Sequence, residues 1–198
     1  LSKLSQDAKV KVMTTVNPMG FDFDSVSKYN LSDEFVQKQK SIADSYKKMG
    51  VIPSFSCIPY EIFDLPEKGT QVSFAESNAA IYANSIGNLK TNKESAFSAL
   101  ASALTGKSPY SDLRIDDTPN LTIRMKIDSP DELAFGMLGY FAGKVADNAV
   151  NLSGVLGMDR RKCKALCGGM GTSGRCGKFV LDQETPNSEK IDFDKKEM

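Results

Sequence analysis

The sequence predicts an α/β fold, a layered sandwich in which strands and helices alternate along the chain. Three observations favour this class. Short segments that alternate charged with apolar or β-branched residues are typical of strands, and segments with apolar residues at helical spacing lie between them. The chain has 198 residues and is 40% hydrophobic, which suffices for one core or two small ones.

The first predicted strand is residues 9–16, where charged residues alternate with valine, methionine and threonine. We expect it in the core of an α/β layer. The turn at residues 17–20 ends this strand and places Thr14, Thr15 and Asn17 at its carboxyl end, where open α/β folds build their sites. Residues 51–58 predict a second short strand, which again puts a candidate residue, Cys57, at a strand end.

Helices are predicted from apolar periodicity and from capping residues. The first is residues 32–49, with Ser32 as N-cap and Gly50 as its stop, and residues 95–104 form a helix of small residues. Residues 121–127 predict a strand, and residues 129–132 open a helix behind it. Residues 162–170 predict a last helix, which a glycine-rich turn at 171–177 and a strand at 178–181 follow. Residues 182–198 form the only polar, tail-like stretch.

Residues 73–92 concentrate polar side chains at both ends of one predicted helix. A carboxylate, hydroxyls, amides and an ammonium are the groups that hold a polar, anionic small molecule. Here they come from Glu76, Ser77, Asn78, Asn84, Ser85, Lys90, Thr91 and Asn92. An alternative interpretation needs no ligand: Ser73 and Glu76 would form a capping box, and Gly87 or Asn88 would stop the helix.

This segment and its flanks resemble the aconitase X family. The resemblance rests on a cysteine-proline-tyrosine turn and on a polar signature, which are here Cys57, Pro59 and Tyr60, then Glu76-Ser77-Asn78-Ala79, Asn84-Ser85 and Lys90-Thr91-Asn92. Residues 14–22 resemble the threonine-asparagine-proline strand end of the family, and residues 99–110 and 136–143 keep its order and distances. The resemblance covers nearly all of the chain, whereas family members continue beyond both of its ends.

From that resemblance we expect a partial catalytic domain of aconitase-like α/β fold over residues 1–198, a fragment of a larger subunit in which residues 182–198 are a truncated polar stretch. The resemblance implies an iron-sulfur-dependent hydro-lyase, a dehydratase that removes water from a hydroxy acid. Archaeal two-subunit members convert mevalonate 5-phosphate into trans-anhydromevalonate 5-phosphate in isoprenoid synthesis, and this reaction is the preferred interpretation. Two alternatives stay open: dehydration of cis-3-hydroxy-L-proline, and a non-catalytic binding or structural role.

The resemblance also implies cofactor, partner and site residues. Members hold an iron-sulfur cluster, expected as 4Fe-4S in the complete subunit, on three cysteines from separate parts of the chain. Cys57 is the candidate for one ligand, and the other two would lie beyond residue 198, so that this chain alone cannot complete the cluster. The alternative for Cys57 is a buried structural thiol. The catalytic base is expected from a small swivelling-domain subunit, and the substrate from a hydroxy acid bound by Thr15, Asn17, Glu76, Ser77, Asn78, Asn84, Ser85, Lys90, Thr91 and Asn92.

The chain departs from the family at residues 88–90, where Asn88-Leu89-Lys90 stands in place of glycine-alanine-arginine. Arginine and lysine are not equivalent at a site that binds a carboxylate through two hydrogen bonds. A different substrate, a weaker grip on it, or lost activity would follow. Lys90 and Lys107 both lie beside polar donors and are candidates to neutralise a carboxylate or phosphate, the alternative for each being a solvated lysine.

Composition excludes several classes of function. Because 25 basic residues balance 25 acidic ones, no electrostatic argument favours binding to nucleic acid or to a membrane surface. No apolar run is long enough to span a bilayer, and a cytoplasmic location is expected. The sequence has no histidine, which excludes Ser-His-Asp and Cys-His catalysis and histidine-based zinc sites within these residues.

Two further motifs have a functional and a structural interpretation. The spacing of Cys163, Cys167 and Cys176 would suit a zinc or iron-sulfur site, but buried free thiols that pack as small hydrophobes are preferred. The glycine-rich residues 168–177 lack the spacing of a phosphate-binding loop, and nucleotide binding is therefore not expected.

Overall fold

The computed structural model describes residues 1–183, 185, 188–194 and 196. Its α-helices are α1 (Leu4–Asp7), α2 (Asp33–Lys48), α3 (Ser77–Ser85), α4 (Ala96–Thr105), α5 (Glu132–Val145) and α6 (Arg160–Ser173), and its strands are β1 (Leu121–Met125), β2 (Ala149–Ser153), β3 (Lys178–Leu181) and β4 (Glu189–Phe193). The chain divides into a first unit, Leu1–Asp64 with Phe97–Ser108, and a second unit, Leu65–Ala96 with Pro109–Met198.

Helix α2 dominates the first unit and has the predicted ends. The Ser32 side chain accepts a hydrogen bond from the backbone N–H of Phe35, which caps the start of the helix. Its buried face contains Val36 and Ala43. Gly50 follows the helix with φ of +89°, a conformation that glycine adopts without strain. The predicted helix of small residues in the first unit also forms, as α4.

The two strands predicted at residues 9–16 and 51–58 are wrong. These segments meet at a single isolated parallel bridge between Thr15 and Ile52, and residues 9–13 are largely exposed rather than central to a layer. The physical reason lies in the second segment. Pro53 has no N–H to donate to a ladder, and Phe55 has φ of +46°, which interrupts an extended chain.

The second unit contains a four-stranded parallel sheet in the order β3-β2-β1-β4. Helix α5 connects β1 to β2, and α6 connects β2 to β3. Both crossovers step in the same direction across the sheet, and right-handed connections then place both helices on one face. Accordingly Phe135 and Leu138 of α5 and Leu166 of α6 share one buried core with Ile123 of β1.

The connection from β3 to β4 steps back across β2 and β1, and three of its described residues, Gln183, Thr185 and Ser188, bond to polar side chains of these two strands. Asn151 of β2 donates to the carbonyl of Gln183 at 2.8 Å and accepts from its N–H at 3.1 Å. Thr122 of β1 lies 2.8 Å, hydroxyl to hydroxyl, from both Thr185 and Ser188. Polar side chains on two adjacent strands therefore hold this connection against the sheet.

The predicted α/β class is confirmed, and four elements of the second unit differ from the sequence expectation. The structure adds β2, and it places β4 inside the stretch that was expected to be tail-like. Helix α6 continues to Ser173 and so includes glycines that were assigned to a turn. The helix of residues 73–92 begins at Ser77 with Glu76 in the N-cap position, so the proposed Ser73 capping box is wrong.

Candidate substrate site

Helix α3 lies between two segments of the second unit that run parallel to each other. Isolated bridges join Gln71 to Lys90 and Phe74 to Lys93. The backbone N–H of Val72 donates to the carbonyl of Lys90 at 3.0 Å, and that of Lys90 donates to Thr70 at 3.0 Å. The segment before α3 thus pairs with the segment after it. This pairing brings the two polar ends of the signature close together, and the paired segments with α3 are called the framework below.

Asn84 joins three parts of that framework through its buried amide. Its Nδ2 donates to the carbonyls of Thr91 at 2.9 Å and Gly177 at 3.0 Å, and its Oδ1 accepts from the N–H of Thr91 at 2.9 Å. Only 3% of Asn84 is exposed. Both the donor and the acceptor of the amide are hydrogen-bonded within the protein. The Asn84 side chain therefore connects α3 to the loop before β3 and to residues 88–93, which follow α3 and are called the return segment below.

Ser85 and Thr91 also bond to the protein itself. The Ser85 hydroxyl accepts from the backbone N–H of Phe179 at 2.9 Å, which ties the end of α3 to β3. The Thr91 hydroxyl donates to the carbonyl of Asn92 at 2.7 Å and accepts from the N–H of Phe74 at 3.2 Å. These two hydroxyls, like the Asn84 amide, are engaged in holding the signature together.

Asn92 is buried and its amide is only half engaged. Its Nδ2 donates to Ser111, to the carbonyl of Pro109 and to Glu94, at 3.2 to 3.4 Å. Its Oδ1 is buried and has no hydrogen-bond partner among the described residues. A buried acceptor without a partner is costly, which distinguishes Asn92 from the fully satisfied Asn84.

Glu76, Ser77 and Asn78 lie together at the start of α3, and all three are half-buried. The Oδ1 of Asn78 is buried and is a second acceptor without a partner among the described residues. Gly171 of α6 approaches this turn so closely that an added Cβ would lie 3.1 Å from the backbone nitrogen of Asn78. Glycine at this position therefore allows α6 to pack against the first turn of α3.

Lys90 is half-buried in the return segment, and among the described residues its ammonium has neither a hydrogen-bond acceptor nor a carboxylate partner. Asn88, two residues before it, has φ of +50°. Asparagine tolerates this left-handed conformation better than most residues. The departure from the glycine of the family pattern thus keeps a backbone conformation that suits glycine. Lys107, the other candidate lysine, is exposed in the first unit.

Arg114, a buried arginine beside the signature, was not among the site residues predicted from sequence. Its side chain is 3% exposed and lies 4.0 Å from the carboxylate of Glu94, whose side chain is 5% exposed. The guanidinium donates to the Gln71 side chain and to the carbonyls of Val72 and Lys90. Burial lowers the pKa of Arg114, and the Glu94 charge opposes that shift. The one sequence signal was a charged residue between two apolar ones, Leu113 and Ile115.

Lys93 connects the same segment to the loop between α6 and β3. Its Nζ donates to the carbonyl of Gly174 at 2.6 Å. Burial lowers the pKa of Lys93, and interaction with Cys176 opposes that shift. Because Asn84 bonds to Gly177, the signature holds both ends of the loop at residues 174–177.

Three predicted site residues lie in the first unit. Thr15, which forms the bridge to Ile52, is half-buried, and Asn17, two residues later, is exposed. Val16 links the two segments: its N–H donates to the Ser54 hydroxyl at 3.2 Å, and its carbonyl accepts from the N–H of Ser56 at 3.2 Å. Cys57, a half-buried free thiol, comes next. The predicted strand ends are absent, but the segments of Thr15 and Cys57 lie side by side.

Cys163, Cys167 and Cys176 are buried free thiols in the core of the second unit, which confirms the preferred interpretation. A hydrogen bond with Cys163 and burial raise the pKa of Cys167, and burial raises that of Cys176 to about 11. Within the described part of the chain, no group of three or more histidine, cysteine, aspartate or glutamate residues is arranged to hold a metal ion. Cys57 offers one thiolate, which does not by itself hold an iron-sulfur cluster.

Of the helices that the structure describes, none combines the length and apolar character needed to cross a membrane.

Comparison with protein families decides the identity of this chain. Residues 1–117 match the model of the aconitase X first domain, and residues 119–198 match that of the aconitase X second domain. The chain belongs to the aconitase X family. Aconitase X from Thermococcus kodakaraensis, solved as a crystal structure of the holo-form, matches 99% of this chain and 53% of its own with a TM-score of 0.84 and 29% identity. The aconitase-like fold expected from the resemblance is confirmed.

Curated aconitase X relatives include enzymes of two names. The phosphomevalonate dehydratase large subunit of Methanocaldococcus jannaschii is 38% identical over 152 residues, 73% of this chain and 38% of the relative. The cis-3-hydroxy-L-proline dehydratase of Hypocrea jecorina is 31% identical over 194 residues, 92% of this chain and 32% of the relative. The chain therefore spans less than half of the length of these relatives.

Proposed function

We propose that this aconitase X protein is a hydro-lyase that dehydrates mevalonate 5-phosphate to trans-anhydromevalonate 5-phosphate. The observation that carries the proposal is the 38% identity to a phosphomevalonate dehydratase large subunit, against 31% to a cis-3-hydroxy-L-proline dehydratase. In the reaction a C–H bond next to the carboxylate and a C–O bond to the hydroxyl break, and a carbon–carbon double bond forms. The proton and the hydroxide leave together as water, so no oxidant is needed.

Lys90 is the residue of this chain best suited to hold the anionic substrate. Its ammonium is half-buried and has no carboxylate partner among the described residues, so its charge is available to a carboxylate or phosphate. Partial burial strengthens such a contact relative to one in open water. Mevalonate 5-phosphate carries both anionic groups, whereas cis-3-hydroxy-L-proline carries one carboxylate and a cationic amine.

The remaining signature residues divide into two roles under this proposal. Glu76, Ser77 and Asn78, at the start of α3, would contact the substrate hydroxyl, and the Asn78 carbonyl oxygen, which has no partner among the described residues, supports that role. The Asn92 carbonyl oxygen is a second acceptor of this kind. Asn84, Ser85 and Thr91 shape the site, because their polar side-chain groups bond to the protein.

Thr15, Asn17 and Cys57 remain proposals for the first unit. In the complete subunit Cys57 would contribute one thiolate to an iron-sulfur cluster, which supplies a Lewis acid for the leaving hydroxyl when bound. The described residues contain no group of three or more such ligands, so we expect the other ligands outside this chain. The base that removes the proton would come from a small swivelling-domain subunit, in keeping with the name "large subunit" of the archaeal relatives.

The test is dehydration by the gene product that carries this sequence, co-produced with its small subunit and reconstituted anaerobically with iron and sulfide. We expect water loss from mevalonate 5-phosphate and none from cis-3-hydroxy-L-proline. Lys90→Met should raise KM for mevalonate 5-phosphate by about 10- to 100-fold, the loss of one charge-assisted contact. Lys107→Met is the matched control, because Lys107 is exposed in the first unit, and it should leave KM unchanged.

Two results would change the assignment. Turnover of cis-3-hydroxy-L-proline alone would move the substrate to the second reaction of the family. Iron bound without turnover of either compound would favour the non-catalytic role that the departure at residues 88–90 allows. Equal KM values for Lys90→Met and Lys107→Met would remove Lys90 from the substrate site.

A further inference from the structure

Arg114 lies at the end of the turn Asp112–Arg114 and reaches into the framework around α3. It donates to the carbonyl of Lys90 at 3.0 Å, to the carbonyl of Val72, and to the side chains of Gln71 and Ser73. Arginine is the only side chain that can donate to this many acceptors at once, because its planar guanidinium carries five N–H donors. Arg114 therefore bonds simultaneously to the segments that enter and leave helix α3.

We propose that Arg114 is a positioning residue for the substrate, and that it acts by fixing the backbone from which the Lys90 side chain projects. This inference rests on the proposed role of Lys90 as the contact for an anionic group. Neither the aconitase X signature in the sequence nor the family comparison assigns Arg114 a role.

The backbone of Lys90 is held from both sides. Its N–H donates to Thr70 at 3.0 Å, and its carbonyl accepts from Arg114 at 3.0 Å and from the N–H of Val72 at 3.0 Å. The next residue, Thr91, is held by the amide of Asn84 at 2.9 Å. With the backbone fixed on both sides, the freedom that remains at Lys90 is that of its side chain. A misplacement of about 1 Å in such a group is enough to cost binding.

The charges of the cluster explain why Lys90, rather than Arg114, would meet the substrate. The Arg114 and Glu94 side chains are both nearly buried and lie 4.0 Å apart, so their charges offset each other within the protein. The ammonium of Lys90 has no such partner among the described residues. An anionic ligand would therefore contact the Lys90 ammonium, whose positive charge is not neutralised. Arg114 would not contact the ligand and would act only through the backbone of Lys90.

The turn that carries Arg114 is attached to the signature at a second point. Asp112, two residues before Arg114, has φ of +47°, a left-handed conformation that aspartate, like asparagine, adopts more readily than most residues. Ser111 beside it accepts from the Asn92 side chain at 3.2 Å and donates to Asp112 at 3.2 Å. The turn is thus attached to the signature at Asn92 as well as through Arg114.

The experiment compares Arg114→Lys with Arg124→Lys in the reconstituted two-subunit protein. Arg124 is a half-exposed arginine on β1 with its own carboxylate partner, Asp192 at 2.8 Å, and serves as the matched control. Calorimetry gives the Kd of mevalonate 5-phosphate, and chemical denaturation gives the free energy of unfolding. We expect Arg114→Lys to weaken binding by about tenfold or more, equivalent to about 1.4 kcal/mol, and Arg124→Lys to leave it unchanged.

A double-mutant comparison separates positioning of Lys90 from general loss of structure. In a Lys90→Met background, Arg114→Lys should weaken binding no further, because the group that it positions is gone. Equal weakening in both backgrounds would overturn the inference. If Arg114→Lys fails to fold, Gln71→Ala takes its place. This change removes one acceptor of Arg114 and keeps the pair with Glu94, so it should weaken binding as well, but to a smaller extent.

A readout without substrate keeps the inference apart from the proposed function. Reductive methylation with labelled formaldehyde gives each lysine an NMR signal, and the Lys90→Arg variant assigns the signal of Lys90. We expect Arg114→Lys to move the Lys90 signal toward that of a solvated lysine, with the Lys107 signal unchanged. An unmoved Lys90 signal would overturn the inference. A different result would overturn the proposed substrate instead. In that case the unsubstituted protein would not bind mevalonate 5-phosphate, although Arg114→Lys would still move the Lys90 signal.

Discussion

At the scale of single residues, the signature contains two kinds of side chain. Some use all of their polar groups in hydrogen bonds within the protein, and others keep a polar group without a partner among the described residues. Asn84 uses both ends of its amide within the fold, whereas Asn78 and Asn92 each keep a buried carbonyl oxygen without a partner among the described residues. The residue type is the same for all three. The sequence could therefore identify asparagines of interest but could not distinguish their roles, because hydrogen-bond partners such as Gly177 lie far along the chain.

Asn84→Ala should destabilise the protein by about 3 kcal/mol, because it leaves the N–H of Thr91 and the carbonyls of Thr91 and Gly177 buried without partners. Denaturant unfolding followed by circular dichroism measures the loss. Asn120→Ala is the control, since Asn120 is exposed and makes one long contact of 3.4 Å with Asp147. A loss no greater than that of Asn120→Ala would contradict the structural role of Asn84.

At the same scale, Asn88 explains how the chain tolerates its departure from the family pattern. A left-handed φ of +50° suits glycine, and asparagine is among the side chains that adopt it with least strain. Leu89 is 3% exposed and fills the core where the family pattern has alanine. Asn88 and Leu89 thus suit their positions in this structure, and the departure that would change the chemistry is the one at Lys90.

At the scale of elements, glycines set how closely α5 and α6 pack. A Cβ on Gly139 would lie 2.2 Å from the carbonyl oxygen of Leu166, and one on Gly169 would lie 2.2 Å from that of Gly136. Real Cβ atoms do not approach a backbone oxygen so closely, so these positions exclude any side chain. The part of the glycine-rich stretch from residue 168 to residue 173 is therefore a helix surface that allows close packing, and not a phosphate-binding loop.

Two neighbouring glycines of α6 provide a matched test of that packing. Gly169→Ala should destabilise the protein by about 2–3 kcal/mol or more, because the new methyl group collides with backbone atoms of α5. Gly168→Ala meets nothing within 4 Å and should stabilise it by about 0.5–1 kcal/mol, the usual gain from alanine inside a helix. Thermal unfolding measures both, and the same sign for both changes would contradict the described packing.

The sheet shows why an element can be missed in sequence. Strand β2 is buried along almost its whole length and β4 is mostly exposed, so neither has the regular alternation by which a half-buried strand is found. Strand β1 was predicted correctly, although Thr122 is buried where it contacts the hydroxyls of Thr185 and Ser188. What covers each face is a long-range property, and it decides which residues of a strand are buried.

At the scale of the whole molecule, a buried thiol makes stability depend on alkaline pH. Burial raises the pKa of Cys176 from its ordinary value of 9.0 to about 11, with Lys93 lowering and Asp147 raising it to smaller extents. Below pH 9 the thiol is neutral in both the folded and unfolded states, and this contribution is fully present. Between pH 9 and 11 the unfolded chain ionises first, so stability falls with rising pH.

We expect Cys176 to contribute a loss of about 2–3 kcal/mol between pH 9 and pH 11. The measurement is the free energy of unfolding by urea at several pH values, for the protein and for Cys176→Ala. The slope between pH 9 and 11 should be shallower in the variant, whatever its stability at pH 7. Parallel pH profiles would show that Cys176 ionises equally in the folded and unfolded states.

The two units show what the sequence determined by itself. Helices α2, α4 and α5, the cap at Ser32 and the stop at Gly50 depend on interactions between residues a few positions apart, and they formed as predicted. The family was likewise readable from the order of short motifs along the chain. Local propensities and conserved spacing are properties of neighbouring residues, so a single sequence contains them.

Only the tertiary structure decided the remaining features. It replaced two predicted strands with one bridge at Thr15, added β2 and β4, and buried Arg114 between the segments that flank α3. It also assigned Asn84 to the framework and left Lys90 without a partner among the described residues. Each outcome depends on which distant groups meet and which are shielded from water, and those contacts exist only once the whole chain has packed.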